Sequence, residues 1–421
     1  MSEDVPLHPH DDPPRPPPGL PVALPLTVDV TITALDHGGH GVGVADGGLA
    51  VRVPFVLPGE RVRVRVWRHA PDGALADPLE VLAPAAERVA AACPLFGACG
   101  GCQLQHLPYA HQLDWKTTVV RTLAAPLGLS TKVAACIGSP RAFGYRSKIT
   151  PHHDRPRADR PLAIGFLKAG RRHEVVDVER CPLATDAINA RLPALRAEIA
   201  ANAASGRRLG ASFLLREATS GVTTDPDARV TEQVGGVALE FFAREFFQNN
   251  PFLLPRLLEF ALDSAAAGGA RFLVDAYAGS GLFALSAAPR FQEVVGVEVS
   301  AGAVVAAREN AARNQLKNVR FVAADAARIF AQLIRAGEDT AVIVDPPRKG
   351  CGQPFLTQLV AFAPRTIVYV SCNPETMCRD LEQLMAAGYE VRTLQPFDMF
   401  PQTRHVECVT VLGRIPTAPA A

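Results

Sequence analysis

The chain contains no apolar run approaching the ~18 residues that a membrane span needs. Its first residues lack the basic n-region and continuous apolar h-region of a signal peptide. It has almost no net charge: 43 Lys and Arg face 42 Asp and Glu, leaving a formal charge of +1. Any basic surface must therefore be local. The three-glycine fingerprint of dinucleotide folds is also missing. With no leader in view, the nine cysteines are expected as reduced thiols, metal ligands or a catalytic thiol rather than as disulfides. These absences predict a soluble, cytoplasmic protein with no membrane partner and no obligate protein partner.

What is present suits two or three domains, since the chain has 421 residues and is 48% hydrophobic. Residues 1–21 are rich in proline, lack apolar periodicity and read as a disordered tail. Residues 22–84 alternate valines with polar residues between glycine turns, the pattern of a small β-barrel. Within it Arg61, Arg63 and Arg65 share one strand face, because side chains alternate with period two. A row of like charges favours an anionic partner over a plain solvated face. Residues 85–234 read as an α+β central domain, opening with a cysteine cluster. It continues into a basic stretch: Tyr145, Arg146, Lys148, His152, His153, Arg155, Arg157, Arg160, Lys168, Arg171 and Arg172. Residues 235–421 alternate strands and helices. Strands are expected at Arg271–Val274, Glu293–Val297, Val319–Val322, Ala341–Val344, Thr366–Val370, Val391–Leu394 and Val406–Leu412. This predicts an α/β doubly wound, Rossmann-like domain whose parallel sheet is covered on both faces.

The residues with chemistry cluster at strand ends. Asp275 leads into Ala276-Tyr277-Ala278-Gly279-Ser280-Gly281, a short glycine turn that lets a ligand approach the backbone. Glu298 follows the second strand and can accept hydrogen bonds from ribose hydroxyls; Asp325 follows the third and is placed to meet an adenine. Acids at three successive strand ends with a glycine turn suit S-adenosylmethionine, which carries a ribose, an adenine, an ammonium and a sulfonium but no phosphate. Further along, Asp345-Pro346-Pro347-Arg348-Lys349-Gly350 and Ser371-Cys372-Asn373-Pro374 each follow a strand, and His405-Val406-Glu407 precedes the last. These supply a binding carboxylate, a thiol nucleophile and a candidate base. Cys136, Cys351, Cys378 and Cys408 read as structural thiols.

Taken in order, Phe247-Gln248-Asn249-Asn250, Asp275–Gly281, Asp345–Gly350, Ser371–Pro374 and Gln402-Thr403-Arg404-His405-Val406-Glu407 resemble the motifs of the uracil-C5 RNA methyltransferase family. A TRAM-like, OB-like barrel and a cysteine cluster also occur in that family, so the resemblance spans nearly the whole chain after the tail. It implies a class I S-adenosylmethionine-dependent enzyme that forms 5-methyluridine. Cys372 would be the nucleophile and Glu407 the base, with Gln248, Tyr277, Glu298, Asp325 and Asp345 binding the cofactor.

Cys93, Cys99, Cys102 and Cys181 could hold either a [4Fe–4S] cluster or a tetrahedral zinc. The resemblance to the cluster-bearing, 23S rRNA uracil-5-methyltransferase-like branch favours iron–sulfur. It also favours rRNA as the substrate, with a tRNA T-loop as the alternative. Cytosine-C5 methylation fits less well, because that family usually has cysteine where this chain has Arg348. A non-catalytic RNA-binding iron–sulfur protein would need neither Cys372 nor Glu407.

Overall fold

The computed structural model describes residues 26–71, 73–154, 161–206, 210, 212–324, 330 and 336–415. The expected tail 1–21, Asp325, Arg155, Arg157 and Arg160 lie outside the described residues, as does the side chain of Arg172. The chain divides into two compact units, one running to Ala90 and taking in His106–Pro108, the other comprising Ala91–Gln105 and everything from Tyr109 onward.

The first unit is a closed barrel. Its strands β1 (Leu26–Leu35), β2 (Gly41–Ala45), β3 (Ala50–Val53), β4 (Arg61–Ala70) and β5 (Gly73–Ala83) pair in the order β1-β2-β3-β5-β4. Val62, Val64 and Val66 point inward and are fully buried. Arg61, Arg63 and Arg65 point outward, as expected, but they are not free cations. Arg63 pairs with Asp29 at 3.0 Å and with Glu80 at 3.4 Å, Arg61 with Asp29 at 3.4 Å, and Arg65 with Asp77 at 3.7 Å. Acids on β1 and β5 flank β4 in register and neutralise the row.

The second unit begins with the cysteine-bearing loop and α1 (Tyr109–Ala124). The central strands follow: β6 (Lys148–Ile149), β7 (His152–His153), β8 (Ile164–Lys168) and β9 (Arg171–Asp177), then α2 (Asp186–Ala204), β10 (Leu215–Ala218), β11 (Gly221–Thr223), β12 (Arg229–Val234) and β13 (Val237–Phe242). Thr185 caps α2 by accepting the Ile188 N–H. The helix lays Ile188, Leu192, Leu195 and Ile199 against Ile149 and Leu215.

Several described residues of the basic stretch are engaged within the chain. Tyr145 is fully buried, with its hydroxyl donating to Pro401 O at 3.0 Å. Lys148 donates to the carbonyls of Arg244 and Glu245. Lys168 and Arg171 both pair with Glu174 at 2.9 Å.

The remaining elements are α3 (Leu254–Ala267), β14 (Phe272–Asp275), α4 (Leu282–Ala287), β15 (Glu293–Glu298), α5 (Ala301–Arg313), β16 (Val319–Ala323), β17 (Thr340–Val344), α6 (Gln353–Phe362), β18 (Thr366–Ser371), α7 (Pro374–Ala386), β19 (Tyr389–Phe397) and β20 (Glu407–Arg414). They form a seven-stranded sheet in the order β16-β15-β14-β17-β18-β20-β19. Every residue of β17 and β18 is buried, which explains their continuous apolar sequence. One face packs on α3, α4 and α5, the other on α6, α7 and α1. The sheet is not wholly parallel as the sequence pattern predicts: β20 runs antiparallel to both β18 and β19.

Candidate active site

The antiparallel β20 decides the site. Parallel strands deliver their carboxyl ends to one edge of the sheet, and β20 delivers its amino end to the same edge. Ser371 is registered against Cys408. One step further toward the edge, Cys372 leaves β18 beside Glu407, the first residue of β20. The nucleophile and base candidates, 35 positions apart by number, are therefore neighbours.

Their electrostatics follow from burial. Glu407 is 2% exposed. Burial and the nearby Asp345 push its carboxyl well above the usual range, against the opposing pull of Arg348. Burial, then Glu407 and Asp345, raise the half-buried Cys372 thiol to about 11, and again Arg348 opposes. Arg348 is thus the cation that both groups feel. It reaches His405, whose Nδ1 lies 2.9 Å from the guanidinium. Burial and Arg348 hold His405 down to about 4, so the ring is neutral and accepts this bond at Nδ1. His405 thus engages Arg348. Asn373 caps α7 through the Glu375 N–H and donates its amide to Arg348 O at 3.1 Å, tying the two motif loops together.

On the other side of the site lies the glycine turn after β14. Gly279 and Gly281 both have positive φ, 52° and 99°. A Cβ on Gly281 would meet Leu285 Cδ1 at 2.9 Å and Phe321 Cζ at 3.0 Å, so a side chain is excluded there. Glu298 sits against this turn, accepting the Gly279 N–H at 3.1 Å and the Ser300 N–H at 2.8 Å. Asp275 is fully buried; its Oδ2 accepts the Ala284 N–H at 3.0 Å, while its Oδ1 has no partner. Burial raises Asp275 and Asp345 to about 7, and the charge of Asp345 adds to the rise of Asp275.

An orphaned buried carboxylate oxygen and several crowded acids ask for a cation. An ammonium and a sulfonium would supply it, so these residues fit S-adenosylmethionine. Tyr277 packs on Phe355 with ring centroids 5.5 Å apart, walling the turn. Gln248 is buried, in the segment that Asn250 anchors by donating to Ser139 Oγ and Met399 O. Two features leave little trace in the sequence. Phe246 is 77% exposed, immediately before the buried Phe247-Gln248 pair, and the aromatic doublet was its only signal. In the sequence, Arg348 stands out only as the residue after Asp-Pro-Pro.

Cys136, Cys351, Cys378 and Cys408 are buried, as structural thiols should be. Cys93, Cys99, Cys102 and Cys181 are half-buried. Burial raises Cys99 and Cys181, and Cys102 to about 12; the neighbouring thiols of the set add to the rise. N–H groups nonetheless point at their sulfurs: Gln105 Nε2 to Cys102 at 3.2 Å, Gly101 to Cys99, and Ala184 and Leu183 to Cys181. Among the described residues, no three His, Cys, Asp or Glu side chains converge closely enough to hold a metal ion.

The family described as tRNA (Uracil-5-)-methyltransferase matches residues 230–415, and the TRAM domain matches residues 26–79. The chain is 38% identical, over 92% of its length and 78% of the relative's, to the tRNA (uracil(54)-C(5))-methyltransferase of Schizosaccharomyces pombe. The chain belongs to the uracil-C5 RNA methyltransferase family. The Saccharomyces cerevisiae tRNA (uracil(54)-C(5))-methyltransferase is 32% identical over 92% of this chain and 73% of its own. Among solved structures, the Pyrococcus abyssi tRNA (uracil-54, C5)-methyltransferase in complex with S-adenosyl-L-homocysteine superposes with a TM-score of 0.70 and 25% identity, covering 91% of this chain and 99% of that one. This uracil-C5 methyltransferase thus uses S-adenosylmethionine and acts on RNA. Among its described residues, no helix is long and apolar enough to cross a membrane.

Proposed function

We propose that this enzyme methylates carbon 5 of a uridine through a covalent adduct on Cys372. The observation that carries this is the register that sets Cys372 beside Glu407 at the carboxyl edge of the sheet. Carbon 5 of uracil is too weak a nucleophile to take a methyl group unaided. Addition of the Cys372 sulfur at carbon 6 places electron density on carbon 5. When bound, S-adenosylmethionine supplies an electrophilic methyl group. Asp275, Glu298, Asp345, Gln248 and Tyr277 would hold it, and Asp325 would join them. Carbon 5 then bears both the methyl and its original proton. Glu407 removes that proton, the electron pair reforms the carbon 5–carbon 6 double bond, and the Cys372 sulfur departs. Arg348 favours the thiolate when Cys372 attacks. The base must leave its stack to reach the thiol, and the exposed ring of Phe246 offers a face for it.

The two yeast relatives and the Pyrococcus abyssi enzyme are named for uracil 54 of tRNA, which supports a tRNA uridine over the rRNA reading drawn from the cysteine pattern. A [4Fe–4S] cluster on Cys93, Cys99, Cys102 and Cys181 is our reading of the cysteine pattern; the N–H groups aimed at the sulfurs support thiolate ligands, while the side chains are not drawn together closely enough to hold a metal. In domain terms we read 22–84 as the barrel, 85–234 as the cluster-bearing RNA-binding part and 235–421 as the catalytic part.

The test uses tRNA and 23S rRNA transcripts containing 5-fluorouridine. Fluorine cannot leave carbon 5 as a proton does, so wild-type protein should form a covalent complex that survives denaturation, with tRNA in preference to rRNA. Cys372→Ala should form none, and Glu407→Gln should accumulate a methylated adduct on ordinary uridine. Turnover by Cys372→Ala at the wild-type rate would overturn the mechanism.

A further inference from the structure

The loop that leads into Glu407 is gripped from an unexpected direction. Helix α1 presents Gln112 and Lys116, one turn apart and both fully buried, to residues 398–402. Lys116 Nζ lies 2.5 Å from Asp398 Oδ1 and 3.2 Å from Phe400 O. Gln112 Oε1 accepts the Gln402 N–H at 3.0 Å, and Gln112 Nε2 donates to Gln402 Oε1 at 2.9 Å and to Leu104 O at 3.0 Å. Gln402 O in turn accepts the N–H groups of Gln103 and Leu104. Gln402 itself has φ 69°, a left-handed conformation that a non-glycine residue adopts only where its surroundings impose it. Five residues later comes Glu407.

We infer that Gln112 and Gln402 form a clamp, backed by the Lys116–Asp398 pair, that positions the general base for proton removal from carbon 5. This rests on the reading of Glu407 as that base. Neither residue touches the reacting atoms; both are positioning residues. Cys372, Asp275, Tyr277, Glu298 and Asp345, on which methyl transfer depends, sit at the ends of β14, β15, β17 and β18; Gln248 and Arg348 meet the loop indirectly, through Asn250 on Met399 O and through His405. Proton removal depends on where the 398–406 loop delivers Glu407. Loosening the clamp should therefore slow adduct breakdown more than adduct formation.

Two variants of the full chain test this. Gln112→Met keeps the volume and removes the three bonds just described. Gln402→Gly removes both side-chain bonds, the one from Gln112 and the one to Ala142 O at 3.5 Å, while relieving the left-handed strain, so it folds even if Gln112→Met does not. Each is assayed on the unmodified transcript that the wild type methylates, with Glu407→Gln alongside. In single turnover, methyl transfer should stay within about twofold of wild type. Product release should fall about tenfold or more, the cost of a modest misplacement, and the covalent methylated RNA adduct should become visible on denaturing gels. KM for RNA should be unchanged. If Glu407→Gln traps adduct but neither clamp variant does, or if both steps slow equally, the clamp is only structural and the inference fails. If Glu407→Gln itself releases product normally, the base assignment fails and the clamp with it.

Discussion

Tyr369 donates its hydroxyl to Asp380 at 2.7 Å, beneath the site and out of reach of solvent. Asp380 also accepts the Cys351 N–H at 2.7 Å and faces the Arg379 guanidinium at 2.9 Å. One buried carboxylate thus fastens the nucleophile strand β18, helix α7 and the end of the Asp345–Gly350 loop. Asp380→Asn retains the shape but exchanges an acceptor oxygen for a donor and removes the charge. It should cost about 1–3 kcal/mol, read as a lower midpoint in denaturant unfolding. S-adenosylmethionine binding should weaken as well, because Asp345 shares the loop.

Cofactor affinity should rise with pH. Asp275 and Asp345 sit near 7 in the folded chain, above their ordinary 3.8, chiefly through burial. A group raised in the folded state stabilises the fold below its unfolded pKa and loses that contribution as pH climbs through the folded value. The cofactor-free protein should therefore lose stability from about pH 4 to 7 on this account. A bound cation reverses the preference, since it favours the ionised acids. The increase in Tm on adding S-adenosylhomocysteine, which lacks the sulfonium but keeps the ammonium, should be larger at pH 8 than at pH 5.5. S-adenosylmethionine should show a steeper trend. Equal shifts at both pH values would mean these acids do not face the ligand.

Protein purified without oxygen should be brown and should contain iron bound through Cys93, Cys99, Cys102 and Cys181. Serine at any of these positions should bleach it, whereas serine at the buried Cys136 or Cys351 should not. Colourless protein carrying one zinc per chain would select the other metal.

The arginine row on β4 gives a prediction opposite to the one its sequence suggests. Arg61, Arg63 and Arg65 already face Asp29, Glu80 and Asp77. Replacing all three with glutamine should change RNA affinity little and shift the salt dependence by less than about one counterion. Each exposed pair is worth only about 0–1 kcal/mol, so stability should fall slightly. A drop of two or three counterions in binding titrations would show that RNA displaces the acids.

That reversal marks the limit of what the sequence discloses. Strand positions in the catalytic part were legible because β14, β15, β17 and β18 are apolar runs that end in an acid, a serine or a cysteine. Cys372 and Glu407 were legible because breakers and polar residues surround them. The direction of β20 was not, since an apolar run carries no sign of its orientation; only the observed pairing Ser371 to Cys408 sets it. The acids that pair with the arginine row were not legible, because they lie on β1 and β5, and charge neutralisation across strands leaves no local trace. The partners of Tyr145 and Lys148 were not legible for the same reason: Pro401, Arg244 and Glu245, which receive their bonds, are far away in sequence.

Helix α1 also governs how the chain can be cut. Its Val120 and Ala124 belong to the same apolar cluster as Leu356 of α6, Leu381 of α7 and Leu394 of β19. The segment after it reaches the far edge of the sheet, where Ala134 N–H donates to Leu394 O and Ile137 N–H to Pro396 O. During synthesis this helix leaves the ribosome well before the strands it will cover, so one side of the sheet stays open until the last strand arrives. A fragment trimmed to residues 230–415, the stretch matched by the family, would never close that side. It would expose an apolar floor and an unpaired strand edge, the conditions under which polypeptides aggregate.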